Sequence, residues 1–402
     1  KPQASFWGSL VFATHPIHTE AVTWISGKPY PLLALFLLVS FFLYLRATSG
    51  EKLNRGYLLA SLLLYFLSIH NSSSFGLIYP GMLVLYDFTF DRWRKTWKIW
   101  LIFFALTFLN ILIYFGAIKQ RMVSVSFDTG SSGMNNPLFN MAYSIFSHLG
   151  LLLWPMKLTL YHEPAIISRF ALGWEIFFLV LLFLSLPFSF KKAKVLFFAS
   201  GFFILFLAPT YSPVTLSWVV AERYLYFPSL ALSIVVGYLV TKATETKKTK
   251  IVVNIMLLLL ITGYSIRTVL RNSDWRTHAS IWRATLKVSP HSPRAHNNMG
   301  DVYYLEGNLT QAAEEFSRAI ELRPNYADAH HNLANIYQNL GKTEEAIINY
   351  QKAVSINPGL WQSYQNLGLI YLEQGKSILA KECFKKGLET NPDNSVLRRL
   401  LE

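Results

Sequence analysis

His15, His18, Glu20 and Lys28 fall within one stretch, THPIHTEAVTWISGKPYP (14–31), between two apolar runs. Imidazoles, a carboxylate and an ammonium so close together suit proton transfer or the capture of an anion, so His15, His18 and Glu20 are the catalytic candidates. A second stretch, AERYLYFPS (221–229), brings Glu222 and Arg223 to the entrance of another apolar run. The forked guanidinium of Arg223 matches a phosphate, and Lys28 adds a point charge. A phosphate carried on a lipid tail would satisfy both at a membrane surface, and Arg223, Lys28 and Glu222 are grouped as its binding residues. A second role stays open for each group: the histidines also suit helix caps, and Glu222 with Arg223 also suits a structural ion pair. His162 and Glu163 in LYHEP (160–164) read as a surface loop, with a second polar site as the alternative.

The surroundings decide what such groups cost. The chain is 52% hydrophobic and 15% aromatic but only 15% charged, which points to a bilayer rather than to water. Apolar runs of near-spanning length lie at 3–14, 30–46, 56–70, 72–90, 97–118, 170–188, 194–209, 222–240 and 250–270. A further run, 138–160, is interrupted by His148 and Pro155. In lipid such runs must be helices, because backbone groups find no water there. The chain starts without Met on a shortened apolar run, so it is expected to be a fragment lacking its N-terminal part.

Loop charges orient the spans. Arg46, Lys52 and Arg55 form one basic cluster; Arg92, Arg94, Lys95 and Lys98 a second; Lys191, Lys192 and Lys194 a third; Lys242, Lys247, Lys248 and Lys250 a fourth. Basic loops stay cytoplasmic. Residues 14–31, 119–137, 160–164 and 209–224, and the chain beyond the last span, are then expected on the lumenal or periplasmic side. That topology requires 120–169 to return to the side it left, so 138–160 lies in the interface, re-enters or crosses twice. The membrane is the endoplasmic reticulum or a bacterial inner membrane. Basic residues scattered in short clusters give no nucleic-acid footprint. Cys383 is the single cysteine, which excludes an internal disulfide framework and a cysteine zinc site.

Residues 289–402 differ in kind: 11 Lys and Arg stand against 13 Asp and Glu, whereas residues 1–288 hold 26 against 10. Prolines recur at 290, 324, 358 and 392, a 34-residue period. Gly300, Ala334 and Gly368 hold the small packing position, Ala312, Ala346 and Ala380 the second-helix alanine, and Phe316, Tyr350 and Phe384 the aromatic that follows. This is the tetratricopeptide pattern, whose stacked helix pairs form a concave binding surface. Asn298, Asn332 and Asn366 share one register, and a row of carboxamides both donates to and accepts from an extended peptide backbone. The other role open to them is to satisfy helix backbone.

HPIHTEAVTWISGK, LVLYDF (83–88), LGLLLWPMKLTLYHEP (149–164), AERYLYFPSLAL (221–232) and the trailing repeats resemble the transmembrane and tetratricopeptide-repeat O-mannosyltransferase family and its bacterial relatives. The resemblance covers nearly the whole chain. It implies a GT-C-like membrane glycosyltransferase that moves a sugar from a polyprenyl or dolichyl phosphate to protein hydroxyls on the non-cytoplasmic face. It further implies an inverting transfer with a carboxylate base in the first lumenal loop, which would lie in the missing N-terminal part. Two places depart from the family: GKPYP (27–31) keeps Lys28 but lacks the neighbouring acid, and HNSSSFG (70–76) lacks the usual Ser-Lys-Glu. Both remove charge from the expected active face and put the activity in question.

The expected fold is all-α: a multi-span bundle over 1–271, a capping half-repeat over 272–292 and three tetratricopeptide repeats over 293–402. The function read from it is protein O-glycosylation, with mannose as the sugar and the repeats holding an extended protein segment. The alternative is a membrane-anchored, non-catalytic adaptor. A transporter fits less well, since inverted repeats and midplane charges are lacking. No cofactor is assigned apart from the lipid-linked sugar donor; no metal-ligand spacing stands out, and a divalent metal stays an open question.

Overall fold

The computed structural model describes residues 2–24, 29–70, 74–128, 137–160, 162, 169–211, 219–243 and 247–402. The chain divides into two compact units, Lys1–Trp275 and Arg276–Glu402. Both are helical, and no strand occurs among the described residues.

In the first unit, helices α1 (Pro2–Thr14) and α2 (Thr19–Thr23) flank a 3-10 turn at Pro16–His18. They are followed by α3 (Pro29–Thr48), α4 (Arg55–His70), α5 (Tyr79–Thr89), α6 (Trp93–Asp128) and α7 (Pro137–Leu153). Then come α8 (Arg169–Lys192), α9 (Lys194–Tyr211), α10 (Leu230–Ala243) and α11 (Lys247–Asp274). Among the described residues, five helices are long and apolar enough to cross a membrane: Pro29–Thr48, Trp93–Gly116, Ala171–Lys192, Lys194–Tyr211 and Lys248–Asp274. Only 6% of the apolar window of Ala171–Lys192 and 11% of that of Lys248–Asp274 is buried, a degree of apolar exposure that lipid rather than water must cover.

Three expected elements differ. The run 72–90 is a 3-10 turn at Ser74–Ile78 and then α5, because Pro80 sits in the first helical turn, where it starts a helix rather than continuing one. The run 222–240 becomes a 3-10 turn at Glu222–Leu225 and a helix that starts only at Leu230, two residues after Pro228. Residues 119–128, read as the start of a loop, continue α6, and neither glycine nor proline interrupts them. At 11 and 14 residues, α5 and α10 are about 17 and 21 Å long, short of the roughly 30 Å hydrocarbon layer. Irregular backbone at such a depth is tolerated only inside protein, and Glu222, Arg223, Tyr224 and Leu225 are indeed all buried.

Small residues and hydroxyls hold the bundle, as expected where apolar faces have no water to escape. A Cβ on Gly8 would lie 2.6 Å from the Ser233 carbonyl oxygen, and one on Gly237 would lie 3.2 Å from that of Ala4. The paired i, i+4 small residues of α1 and α10 thus set backbone on backbone. Ser40 and Ser61 each donate to the other's carbonyl at 2.8 Å, joining α3 to α4, and the Tyr79 hydroxyl donates to Ser40 at 3.0 Å. At the basic end of these helices Asp87 of LVLYDF is fully buried; it accepts from Tyr44, takes the Trp100 indole N–H at 2.9 Å and pairs with Arg92 at 3.6 Å.

The second unit opens with α12 (His278–Val288), started by a capping box at Thr277 and Ser280. Helix pairs α13 (Pro293–Leu305) and α14 (Leu309–Leu322), α15 (Ala327–Asn339) and α16 (Thr343–Ile356), and α17 (Trp361–Glu373) and α18 (Ser377–Thr390) follow, closed by α19 (Ser395–Leu401). Each pair turns on a glycine with positive φ, Gly307 at 78°, Gly341 at 73° and Gly375 at 71°, conformations that cost a residue with a Cβ. The aromatic of each second helix fills the space left by the small residue of the first. A Cβ on Gly368 would stand 2.4 Å from the Phe384 ring, and one on Gly300 would stand 2.7 Å from Phe316. Gly368→Ala is therefore expected to overpack this contact by about 1–3 kcal/mol and lower the melting temperature of the repeat unit in circular dichroism. An unchanged melting curve would show that Phe384 moves aside freely.

Candidate functional site: a buried ion-pair cluster

Two chain corners meet in the first unit. The Pro16–His18 turn and α2 bring His15, His18 and Glu20; the Glu222–Leu225 turn brings Glu222 and Arg223. Pro16 at the start of the first turn fixes its entry, and the His15 side chain caps it.

Glu222 and Arg223 do not pair with each other. The Arg223 guanidinium donates to Glu20 Oε1 and its backbone N–H to Glu20 Oε2 at 3.0 Å, so both oxygens of a fully buried carboxylate are engaged. Arg223 is 8% exposed and lies over the rings of Tyr224, at 4.9 Å, and Trp24, at 5.4 Å. Burial opposes its charge most strongly, but Glu20, Tyr224 and Tyr30 beside it together raise the guanidinium above its ordinary pKa. Glu222 turns the other way: Arg271 at the end of α11 donates to its Oε1 at 3.1 Å, and both residues are fully buried. Arg271 also donates to Asp274 at 3.1 Å, and His162 Nε2 stands 3.8 Å from Glu222 Oε1.

His15 is committed at both ring nitrogens. Nδ1 accepts the Ile17 N–H at 3.1 Å, which leaves Nε2 to donate to the Leu152 carbonyl at 2.9 Å. His18 has Nε2 2.8 Å from the Ser229 hydroxyl, and its ring lies between Phe12 and Tyr226 at 4.4 and 4.7 Å. Burial pushes His15 down to about 4 and His18 to about 3, so both are neutral at neutral pH. Both His15 ring nitrogens and both Glu20 oxygens thus have a hydrogen-bond partner within the protein. Lys28 and Glu163 lie outside the described residues, as do Gly27 of GKPYP and residues 71–73 of HNSSSFG. Trp24 and Tyr30, which bracket Lys28 in sequence, both reach Arg223.

Arg271, Asp274 and Trp275 escaped the sequence reading. Arg271 is a single basic residue just past the 250–270 run, and the fold shows it fully buried against Glu222. Among the described residues, Glu222 Oε2, Arg271 Nε, His162 Nε2 and Trp275 Nε1 are buried without a hydrogen-bond partner. Each such group costs about 1–3 kcal/mol, so this half of the cluster is strained where the Glu20–Arg223 half is satisfied.

Beside the cluster runs a largely apolar groove of about 670 Å³ between α1, α3, α5, α9 and α10. Phe12, whose ring packs on His18, and Phe227 and Leu230, just beyond the Arg223 turn, form its end nearest the ion pairs; Val195 and Thr241 mark its other end. Ser5, Ser9 and Leu38 on its walls are exposed, so it opens sideways. Among the described residues there is no group of three or more His, Cys, Asp or Glu placed to hold a metal ion.

In the repeat unit the asparagines of the row are half-buried and not equivalent. Asn298 donates to the Arg294 carbonyl on its own helix at 2.7 Å. Asn332 reaches back to Asn297 and Asp301 at 3.2 and 3.3 Å, and Asn366 to Asn335 at 3.0 Å and the Tyr350 hydroxyl at 3.1 Å. Two of the three therefore tie successive repeats together. Asn297, which is buried, and Asn335, both outside the expected row, are their partners.

The comparisons with known proteins agree with this division. Residues 327–360 and 361–394 match the tetratricopeptide-repeat family, and 300–341 match a related repeat model. Protein O-mannosyl-transferase F38B6.6 of Caenorhabditis elegans is 27% identical over 331 residues, 79% of this chain and 46% of that protein. Human protein O-mannosyl-transferases TMTC4 and TMTC3 are each 25% identical, over 77% and 80% of this chain and 48% and 39% of their own lengths. The chain resembles the tetratricopeptide-repeat O-mannosyl-transferases. It spans less than half the length of these relatives. The crystal structure of MamA aligns at 27% identity and a TM-score of 0.28 over 32% of this chain and 78% of its own. With five helices fit to cross a bilayer and this likeness, the chain is a multi-pass membrane protein carrying tetratricopeptide repeats.

Removing one partner of the Glu20–Arg223 pair leaves a buried charge alone, a loss of about 3–5 kcal/mol, whereas replacing both by apolar groups is near neutral. Arg223→Leu is thus expected to melt well below wild type in detergent, and Glu20→Leu with Arg223→Leu to recover most of the loss. Equal melting of the single and double variants would show that the pair does not hold the two corners together.

Proposed function

We propose that the protein transfers a sugar, mannose by its likeness to the O-mannosyl-transferases, from a polyprenyl or dolichyl phosphate to serine or threonine hydroxyls of a protein segment held by the repeats. The observation that carries this reading is Arg223: a guanidinium 8% exposed, braced by Glu20 and two aromatic rings, four residues before Phe227 of a largely apolar groove. A preorganised cation in a poorly solvated place stabilises the charge that grows on a departing lipid phosphate. Five N–H groups allow Arg223 to keep Glu20 and still present donors to a phosphate. Lys28, four residues after Trp24 in sequence, supplies a second charge. The groove would take the isoprenoid tail, since its walls are apolar and it opens sideways.

In this reading His15, His18 and Glu20 keep the corner in shape, and the polar groups on the groove's own walls are Ser5, Ser9, Ser233, Tyr238 and Thr241. The repeats and the ion pairs would face the lumen or periplasm, as the basic loops require. The Asn298, Asn332 and Asn366 row, with Asn297 and Asn335, would present an extended acceptor.

The test is transfer of radiolabelled mannose from polyprenyl-phosphate mannose to protein in membranes. Arg223→Lys, which keeps the charge and loses the fork, is expected to lower the rate about 100-fold with the protein still folded. Replacing Asn298, Asn332 and Asn366 together by alanine is expected to raise KM for the acceptor and leave kcat nearly unchanged. Absence of transfer by folded wild type with every lipid-linked sugar tried would reject the enzyme. Retained capture of a protein partner would then favour the adaptor.

A further inference from the structure

The unsatisfied half of the cluster has a chemistry of its own. Glu222 Oε2 accepts only; Arg271 Nε and Trp275 Nε1 donate only; His162 Nε2 does either, by tautomer. Among the described residues all four atoms are buried without partners, and Glu222 and Arg271 are fully buried. A phosphate brings only acceptors and would meet the Glu222 carboxylate; an ammonium brings only donors and would meet Arg271. A hydroxyl does both, and two neighbouring hydroxyls satisfy an acceptor and a donor at once. Trp275, whose ring lies 5.8 Å from the Arg271 guanidinium carbon, adds an apolar face of the kind that packs on the C–H face of a sugar.

We infer that Glu222, Arg271 and Trp275, with His162, form the subsite for the hexose of the donor. This rests on the reading of Arg223 as the phosphate site, and it assigns to Glu222 a role different from phosphate binding. Glu222 and Arg223 are consecutive residues of one 3-10 turn whose side chains go to opposite partners, Arg271 on α11 and Glu20 on α2. A sugar phosphate lying across that turn places its phosphate on Arg223 and its ring hydroxyls on Glu222 and Arg271. The four atoms are buried, so the subsite opens as the hexose enters and its hydroxyls supply the hydrogen bonds these atoms lack. Arg271, held by both Glu222 and Asp274, selects the sugar without touching the phosphate.

The experiment compares equilibrium binding of two probes, polyprenyl phosphate and polyprenyl-phosphate mannose, to the full chain in membranes. Wild type is expected to bind the mannosylated lipid at least tenfold more tightly. Trp275→Phe, which keeps an aromatic face but shrinks it and removes the indole N–H, and Arg271→Lys, which keeps the charge opposite Glu222, are each expected to reduce that ratio several-fold. Affinity for the bare phosphate should stay within twofold. A wild-type ratio of one, variants that keep the wild-type ratio, or variants that lose both lipids equally would each overturn the subsite. Wild type that binds neither lipid would instead reject the phosphate site on which the inference stands.

Discussion

The structure of the first unit turns on two pairs of charges buried away from solvent. A buried carboxylate or guanidinium is tolerated only when a partner of opposite sign stands against it, and the bundle provides two such pairs side by side, Glu20 with Arg223 and Glu222 with Arg271. Together they pin the short α2 and the end of α11 to a single 3-10 turn, three pieces far apart in the chain. The aromatic rings over Arg223 and the neutral imidazoles of His15 and His18 complete a polar knot surrounded by apolar side chains. Half of that knot is saturated and half is not. Saturated groups hold shape; unsatisfied ones, at equal burial, are where a ligand gains most.

The bilayer sets the remaining terms. With no hydrophobic drive between helices in lipid, close approach at Gly8 and Gly237 and the reciprocal Ser40–Ser61 hydrogen bonds do the joining. Helices α5 and α10 are too short to cross alone, and each is preceded by a 3-10 turn within the protein. That shortness leaves the Arg223 turn inside the bundle.

The repeats solve a different problem in water. Each helix pair buries its small-residue and aromatic contact, and polar bonds such as Asn366 to Asn335 link one repeat to the next. A carboxamide that bridges repeats is held in one orientation by its neighbours, which lowers the ordering cost of any further contact it makes. The same asparagines thus have a structural duty that a row read from sequence alone does not reveal.

Periodicity and solvent preference were legible in the chain. The 34-residue proline register fixes the helix pairs, down to Gly368 against Phe384, because small and large residues at those positions must meet. Apolar length declares the membrane helices. Proline was underweighted: Pro80 and Pro228 shorten two spans, a local rule that overrode composition. The candidate residues His15, His18, Glu20, Glu222 and Arg223 were visible because polar side chains between apolar runs need a reason. Their partners were not. That Arg223 takes Glu20, 203 positions away, while Glu222 takes Arg271, depends on which face each side chain leaves a 3-10 turn, and no spacing in the sequence encodes that. Sequence alone determined which solvent each segment required; the tertiary structure alone decided which charge met which, because a buried ion pair is a contact between distant segments that only folding brings within hydrogen-bond reach.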